Sequence, residues 1–288
     1  MPARLKNHVV EIRRTADLLQ PELAAACVPC IAAFVSRDRP RAVVRLAFSR
    51  RRARVISPRS AGELATTLRS TLADAVIVDL GTLGSETDRA VALAREFPSL
   101  PFVGIVPMRG ADGPALAAAA ANEFADVVIE GVDDVVLRAL VAPLAFSTRF
   151  AKALWHPPSS LRLDAPLQQS AWRAVIARGG RPVRTSDLAM ALGVTREHLS
   201  RSFAASGAPN LKRVIDLVRL LAAAELCKNP GYDVRDVARV LGFASASHLS
   251  STAQRVVGTK PASLTRLRAV DLVDRFSQGR GRSHASYQ

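Results

Sequence analysis

Two copies of a helix–turn–helix pattern lie near the C-terminus of this 288-residue chain. In the first copy, an apolar helix face that includes Ala189 stops at Gly193, and a second apolar face begins after Thr195, which can cap the next helix. In the second copy, Ala238 and Gly242 stand at the same spacing, and the turn is one residue longer. A small residue four positions before a turn glycine lets two helices cross closely. The chain therefore predicts an all-α C-terminal domain with a duplicated helix–turn–helix unit.

Positive charge is concentrated in the half of the chain that contains this pattern. Residues 1–150 contain 19 Lys and Arg against 16 Asp and Glu, whereas residues 151–288 contain 21 against 9. Neutralising the phosphates of a nucleic acid requires such a basic surface. Charge alone equally suits RNA or an anionic membrane, so it supports the motif without identifying the ligand.

The residues before the pattern alternate between strand and helix signals. Short apolar runs predict five strands, at Cys30–Val35, Ala53–Ser57, Ala75–Leu80, Phe102–Val106 and Asp126–Ile129. Helical stretches follow them at Arg41–Arg51, Ala61–Thr71, Glu86–Phe97, Pro114–Phe124 and Asp133–Leu144. Five strands, each followed by a helix, predict an α/β domain whose parallel sheet is covered on both faces.

The α/β region resembles the receiver domain of bacterial response regulators, both in this pattern and in Asp79 at the end of the third strand. The resemblance implies a flavodoxin-like five-stranded parallel sheet of order 2-1-3-4-5, with Asp79 in the place of the phosphoryl-accepting aspartate. The rest of the receiver pattern is missing. Ser36 and Arg37 stand where receivers have an acidic pair that holds Mg²⁺, and Glu130 stands where they have a lysine.

Phosphoryl transfer to a carboxylate needs a metal and a cation to offset the charge on the phosphoryl oxygens. Pro107 and Met108 also replace the serine or threonine that receivers have after the fourth strand. We therefore interpret the region as a pseudo-receiver, a fold kept for contacts. Asp79 is then a structural residue that caps a turn or pairs with an arginine, and a phosphoacceptor role for it is the alternative.

The composition divides the chain into five segments. Residues 1–29 form an N-terminal extension with no assigned role, and residues 30–150 form the receiver-like domain. The Pro- and Ser-rich passage at 151–166 is typical of a linker. Residues 167–270 form the helix–turn–helix domain, whose first helix is predicted at Leu167–Ala177. Residues 271–288 are expected to be a basic, disordered tail.

Residues 167–268 resemble the AraC/XylS family of transcriptional regulators, on pieces that follow the order and spacing of that family: Asp187-Leu-Ala, Leu192-Gly-Val-Thr-Arg-Glu-His-Leu, Leu241-Gly-Phe-Ala-Ser-Ala-Ser-His-Leu and Gly258-Thr-Lys-Pro. Apolar residues at helical spacing independently predict a connecting helix at Asn210–Lys228. Its length of roughly 28 Å approaches the ~34 Å between successive major-groove faces. One chain can therefore place two recognition helices in adjacent major-groove segments.

Carried over from the family motif, the base-facing positions of the first recognition helix are Glu197, Ser200 and Arg201. Arg201 can bond guanine O6 and N7 bidentately, and Glu197 can accept from cytosine N4. Thr195 and Arg196, at the start of the helix, are better placed for phosphate.

The second recognition helix has short side chains at its base-facing positions, Ala246, Ser247, Ser250 and Ser251. Serine discriminates little between bases, and alanine offers only contact with a thymine methyl. We expect this unit to dock through phosphates and to contribute affinity or shape readout. Its expected phosphate-binding residues are His248, Arg255 and Lys260.

The Cys27-Val-Pro-Cys30 pair has no further ligands at a zinc-like spacing, and Cys30 opens a predicted strand rather than a helix. We interpret both cysteines as small apolar residues, with a thiol-sensor role as the alternative. The sequence shows no constellation typical of an enzyme, and no metal or cofactor is expected.

The hypothesis is a bacterial, cytoplasmic, nucleoid-associated transcription regulator that is not an enzyme. Its expected partners are double-stranded DNA and RNA polymerase or another regulator, and a homodimer through the N-terminal domain is left open. No apolar stretch reaches 18 residues and the N-terminus lacks a signal-peptide core, so no membrane association is expected. A phosphorylation-driven response regulator is the competing hypothesis.

Overall fold

The computed structural model describes residues 28–82, 84–204 and 207–279. Within it the chain divides into two compact units, with the boundary after Arg149.

The first unit is built on a five-stranded parallel sheet. Its strands are β1 (Cys30–Phe34), β2 (Arg54–Ile56), β3 (Ala75–Asp79), β4 (Phe102–Val106) and β5 (Asp126–Ile129). Their spatial order is β2-β1-β3-β4-β5, which confirms the expected fold class and strand order. Every residue of β1, β3 and β4 is buried, as expected for central strands covered on both faces.

Five helices connect or follow these strands: α1 (Asp38–Ala47), α2 (Ala61–Ser70), α3 (Ser85–Glu96), α4 (Gly113–Ala121) and α5 (Leu137–Leu144). Two of them begin three or four residues away from the predicted position. Helix α1 begins at Asp38 and includes Pro40, because a proline in the first turn removes no helical hydrogen bond. Helix α5 begins four residues late, because the Asp133 carboxylate accepts from the Ile129 amide (2.7 Å) and closes a turn after β5 instead.

The second unit is all-α. Its helices are α6 (Phe146–Ala153, which crosses the boundary), α7 (Pro166–Ile176), α8 (Thr185–Ala191), α9 (Arg196–Ala204), α10 (Leu211–Leu226), α11 (Val234–Val240), α12 (Ala246–Val257), α13 (Pro261–Leu264) and α14 (Ala269–Ser277). Among the described residues no helix is both long and apolar enough to cross a bilayer.

Helix α10 connects the two helix–turn–helix units and forms the centre of this domain. It is capped by Asn210, whose side chain accepts from the Arg213 amide (2.9 Å). Twelve of its residues are buried, so it is apolar around most of its circumference, as a central helix must be. Its 16 residues make it shorter than predicted, about 24 Å at 1.5 Å per residue.

Two segments that were expected to lack a packed structure belong to the core of the second unit. In the predicted linker, Leu161 and Leu163 are buried, and the Trp172 indole donates to the Leu154 carbonyl (2.7 Å). In the predicted tail, α14 buries Leu272, Val273 and Phe276. The linker was predicted from its prolines and serines and the tail from its basic residues, although a few correctly spaced apolar side chains suffice to order such segments. Residues 280–288 lie outside the described residues.

Candidate functional site

The two helix–turn–helix units close their turns with the same pair of hydrogen bonds. After α8, the Gly193 amide donates to Met190 (3.1 Å) and the Val194 amide donates to the Ala189 carbonyl (3.0 Å). After α11, Gly242 donates to Arg239 (3.0 Å), and Phe243 donates to Ala238 (2.8 Å). Both glycines have positive φ, 67° and 64°. Each turn is thus a Schellman motif in which glycine supplies the left-handed residue.

Each recognition helix begins with a capping hydroxyl. The Thr195 side chain accepts from the His198 amide (3.1 Å) at the start of α9, which confirms the predicted cap. Ser245 accepts from the His248 amide (3.0 Å) at the start of α12. A cap of this kind fixes where a helix begins. The two units therefore share the bonding that ends the first helix and the kind of cap that begins the recognition helix, and the second turn is one residue longer.

The outward face of α9 is polar and unoccupied. Leu199 and Phe203 are fully buried, whereas Arg196, Glu197, Ser200 and Arg201 are exposed. Within the described part of the chain, the side chains of those four exposed residues make no hydrogen bond or ion pair. The structure thus brings these residues, which were predicted to contact DNA, onto one free face, with its three charged side chains available.

The outward face of α12 presents side chains that are uncharged and shorter than those of α9. Ser247 and Ser251 are exposed, and Ala246 and Ser250 are half-buried. The Ser251 hydroxyl donates to the His248 carbonyl (3.1 Å) of its own helix, which leaves only its acceptor capacity for a base.

His248 itself is tied into the turn before α12. Its Nδ1 accepts from the Ala244 amide (3.3 Å), and its ring stands edge-on to Phe243 at 5.6 Å between centroids. This hydrogen bond assigns the proton to Nε2, which is then the nitrogen that can donate to a phosphate.

Arg255 does not stand free. Its Nη2 pairs with the Asp216 carboxylate (3.0 Å) of α10, and its side chain remains 51% exposed. The residue predicted to bind phosphate thus also holds the second recognition helix against the connecting helix. Lys260, by contrast, is exposed and makes no side-chain hydrogen bond or ion pair among the described residues.

Arg219 of α10 supports the second unit in a way that the sequence did not suggest. Its guanidinium lies 3.8 Å from the centroid of the Phe243 ring, and Nη2 donates to the Leu241 carbonyl (3.0 Å). Burial lowers the pKa of Arg219 against the opposing charge of Asp216. A cation–π contact and a backbone hydrogen bond therefore fix the longer turn.

Asp79 is almost fully enclosed, with a side chain 1% exposed, and Arg37 holds both its oxygens. Arg37 Nη2 and Nε donate to Oδ1 at 2.7 and 3.0 Å, and Nε lies 3.1 Å from Oδ2. The amides of Arg37 and Gly81 also donate to this carboxylate, at 3.2 and 3.0 Å. A Cβ at Gly81 would overlap the Arg37 guanidinium, so this glycine leaves the space that the arginine occupies. Asp79 therefore both closes a turn and pairs with an arginine.

The same guanidinium joins Asp79 to Glu130. Arg37 Nη1 lies 2.7 Å from a Glu130 oxygen, and the Glu130 side chain is 7% exposed. Burial acts to lower the pKa of Arg37, but the hydrogen bonds and charges of Asp79 and then Glu130 outweigh it, so that this pKa is raised. One cation and two carboxylates thus form a buried triad at the carboxyl edge of the sheet.

The triad reverses the charge order of the receiver pattern. The basic residue follows β1, where receivers have the acidic pair, and the acidic residue follows β5, where they have the lysine. The residues present do not fit Mg²⁺, because the cation that faces Asp79 belongs to the protein. In the described part of the chain no group of three His, Cys, Asp or Glu side chains could hold a metal ion.

Only one residue of the Cys27–Cys30 pair lies among the described residues. Cys30 is buried as the first residue of β1, and its amide donates to the Asp74 carboxylate (2.7 Å). Cys27 lies outside the described residues. The third cysteine, Cys227, follows the connecting helix, and burial raises its pKa to about 11. Little of Cys227 is therefore thiolate at neutral pH.

Comparison with known proteins assigns the C-terminal unit. Residues 188–266, which run from α8 to just beyond α13, match the family described as a helix-turn-helix domain. No curated protein matches the chain. The chain therefore contains a helix–turn–helix DNA-binding domain, which is typical of transcription regulators.

Among solved structures, the chain is similar to full-length FixJ from B. japonicum, with 11% identity over 65% of this chain and 94% of that chain and a TM-score of 0.36. It is also similar to the RcsB response regulator of Salmonella typhimurium (16% identity, 66% and 96% covered, TM-score 0.34). A third is RcsB from Salmonella enterica serovar Typhimurium bound to promoter rprA (16%, 66% and 98%, TM-score 0.30). At these TM-scores the fold assignment rests on the sheet order described above.

Proposed function

We propose that this chain is an AraC-type transcription regulator that reads promoter DNA with α9 and α12 in adjacent major-groove segments. The observation that carries the proposal is the repeated unit itself, with two Schellman turns of identical bonding, each followed by a hydroxyl-capped helix with an exposed polar face. The net charge of +15 supports a polyanionic ligand. The connecting helix is shorter than the ~34 Å groove repeat, which favours DNA that bends toward the protein.

The two recognition helices have different roles in this proposal. In α9, Arg201 reads guanine, Glu197 accepts from cytosine and Ser200 lies between them, while Thr195 and Arg196 contact phosphate. In α12, the short side chains at 246, 247, 250 and 251 contact the groove with little discrimination. Its phosphate contacts come from Lys260, from His248 through Nε2, and from the N–H groups that Arg255 does not use on Asp216.

The first unit supplies contacts rather than phosphotransfer in this proposal. The Arg37 triad neutralises Asp79 without metal and leaves no open cation position beside it. In a DNA-binding regulator, such a unit contacts a second copy of the chain, RNA polymerase or another regulator.

The DNA-binding proposal predicts a strong dependence on salt. Fragments recovered from a genomic library with the full chain would be titrated with the protein between 50 and 200 mM salt. When Arg196, Arg255 and Lys260 neutralise three phosphates, the DNA releases their counterions. These three contacts alone predict a slope of about −3 in log K against log salt. Absence of salt-dependent duplex binding would sink the proposal, and equal binding of single-stranded RNA would redirect it.

Asp79 is expected to stay unmodified when the full chain is incubated with acetyl phosphate and Mg²⁺. The Arg37 guanidinium covers the oxygens that would attack phosphorus, and its pairing with Asp79 and Glu130 keeps it from stabilising the phosphoryl oxygens. Intact-mass spectrometry with peptide mapping is the measurement, and Asp79→Asn is expected to leave DNA affinity unchanged. One added phosphate on Asp79 would favour the phosphorylation-driven regulator instead.

A further inference from the structure

A basic cavity of about 770 Å³ opens at the carboxyl ends of β1, β2 and β3. Phe34, Val35 and Pro58 are buried and form its apolar part. The cavity has the size of a small-molecule site. It also lies where the strand order reverses, since β1 stands between β2 and β3. In open doubly wound sheets this switch point is where ligands bind.

Three arginines line this cavity. Arg41 is held by Asp38 (2.9 Å) and by the Ser36 carbonyl (2.6 Å). In the described part of the chain, the side chains of Arg45 and Arg59 make no hydrogen bond or ion pair. Both residues are exposed.

The carboxylate in the lining, Glu86, is bonded to groups other than these arginines. Glu86 Oε2 accepts from the Ala61 amide (2.8 Å), and Oε1 accepts from Arg89 (3.2 Å). Glu86 thus caps the start of α2 and pairs outside the cavity. The guanidinium groups of Arg45 and Arg59 therefore line the cavity without an ion-pair partner among the described residues.

Helix α3 begins in the same cavity and adds to its positive potential. Its N-cap is Gly84, which provides no capping side chain. The amides of residues 85–87, at the first turn, have no acceptor within the helix. Aligned peptide dipoles place partial positive charge at this end of a 12-residue helix. Hydroxyls of Ser57 and Ser85 supply further donors around it.

We propose that this cavity binds a small organic phosphate. The phosphate sits at the first turn of α3 and pairs with Arg45 and Arg59, and the organic part packs on Phe34, Val35 and Pro58. A free phosphate ion would leave most of the volume and all of the apolar surface unused. The Asp79 triad takes no part, since Arg37 is fully engaged there. The inference does not rest on DNA recognition.

The test is calorimetric titration of the full chain at constant ionic strength with adenosine monophosphate, ribose 5-phosphate, adenosine and inorganic phosphate. At least one of the two organic phosphates is expected to bind about tenfold or more tightly than adenosine and inorganic phosphate. Arg45→Gln and Arg59→Gln are each expected to weaken that binding ~10-fold, since each removes charge-assisted hydrogen bonds. Arg59→Lys should restore part of the loss.

A matched control separates the cavity from the basic surface elsewhere on the chain. Arg51 is exposed and lies outside the lining, so Arg51→Gln removes the same charge and is expected to leave the affinity unchanged. Ligand should also slow amide hydrogen exchange at residues 85–87. No binding of either organic phosphate at millimolar concentration, or equal losses in Arg51→Gln and Arg59→Gln, would overturn the proposal. Equal affinity for inorganic phosphate would refute its organic part.

Discussion

Replacing Arg37 by methionine is expected to lower the free energy of unfolding of the first unit by about 3–5 kcal/mol. Asp79 and Glu130 are 1% and 7% exposed, and the substitution leaves both carboxylates buried without their shared cation. Methionine keeps the length and apolar stem of the side chain, so the lost charge dominates the effect. Denaturant unfolding followed by circular dichroism measures the change.

Two further variants show whether the triad is the cause. Arg39 contacts the same Glu130 carboxylate at 3.4 Å from a position that is 66% exposed, and Arg39→Met is expected to cost under ~1 kcal/mol. Adding Asp79→Asn and Glu130→Gln to Arg37→Met removes the buried charges and should recover most of the stability. A loss in Arg37→Met that the triple variant does not relieve would mean that packing, and not charge, sets the role of Arg37.

The triad illustrates what the sequence could and could not predict. The absence of the acidic pair and of the lysine is visible in residues 36, 37 and 130, and pairing of Asp79 with an arginine was a stated expectation. The identity of the arginine was not accessible, because Arg37 and Asp79 are 42 residues apart and meet only through the parallel register of β1 and β3. The single guanidinium that serves two carboxylates is likewise a tertiary feature.

The α/β alternation was predictable because the three central strands are apolar runs that are buried on both faces. Predicted helix boundaries were wrong where a side chain accepted a hydrogen bond from the backbone and closed a turn instead, as Asp133 does after β5. The prediction that the linker and the tail lack a packed structure was wrong for another reason. Leu161, Leu163 and Phe276 are few among polar neighbours, and only their burial against the second unit shows that they belong to its core.

The two turns and the start of the first recognition helix were predictable, because turn glycines and the capping hydroxyl of Thr195 have local signatures. The contacts that hold these helices and turns in place were not predictable. Asp216 and Arg219 lie on the connecting helix among apolar residues, and nothing in their spacing shows that one holds Arg255 and the other holds the turn at Phe243. These contacts depend on how the helices cross, which the sequence does not encode locally.

The two halves of the DNA site are expected to differ sharply in base preference. Scrambling the half under α9 should cost ~1–3 kcal/mol per base pair, and scrambling the half under α12 should cost well under that. The reason lies in the side chains, since Arg201 is long, charged and without a side-chain partner among the described residues, whereas the Ser251 hydroxyl donates its hydrogen bond to a carbonyl of its own helix. Competition titrations of the full chain with half-scrambled duplexes at fixed salt measure both costs.

Single substitutions then assign each half to its residues. Arg201→Ala is expected to cost ~1–3 kcal/mol on the intact site and much less on random DNA. Lys260→Ala removes the same charge and is expected to weaken binding to both DNAs equally, with a salt slope about one unit flatter. Equal losses on both DNAs for Arg201→Ala would make Arg201 a phosphate contact. A strong base preference under α12 would mean that the backbone approaches the groove closely enough for serine hydroxyls or bridging waters to discriminate.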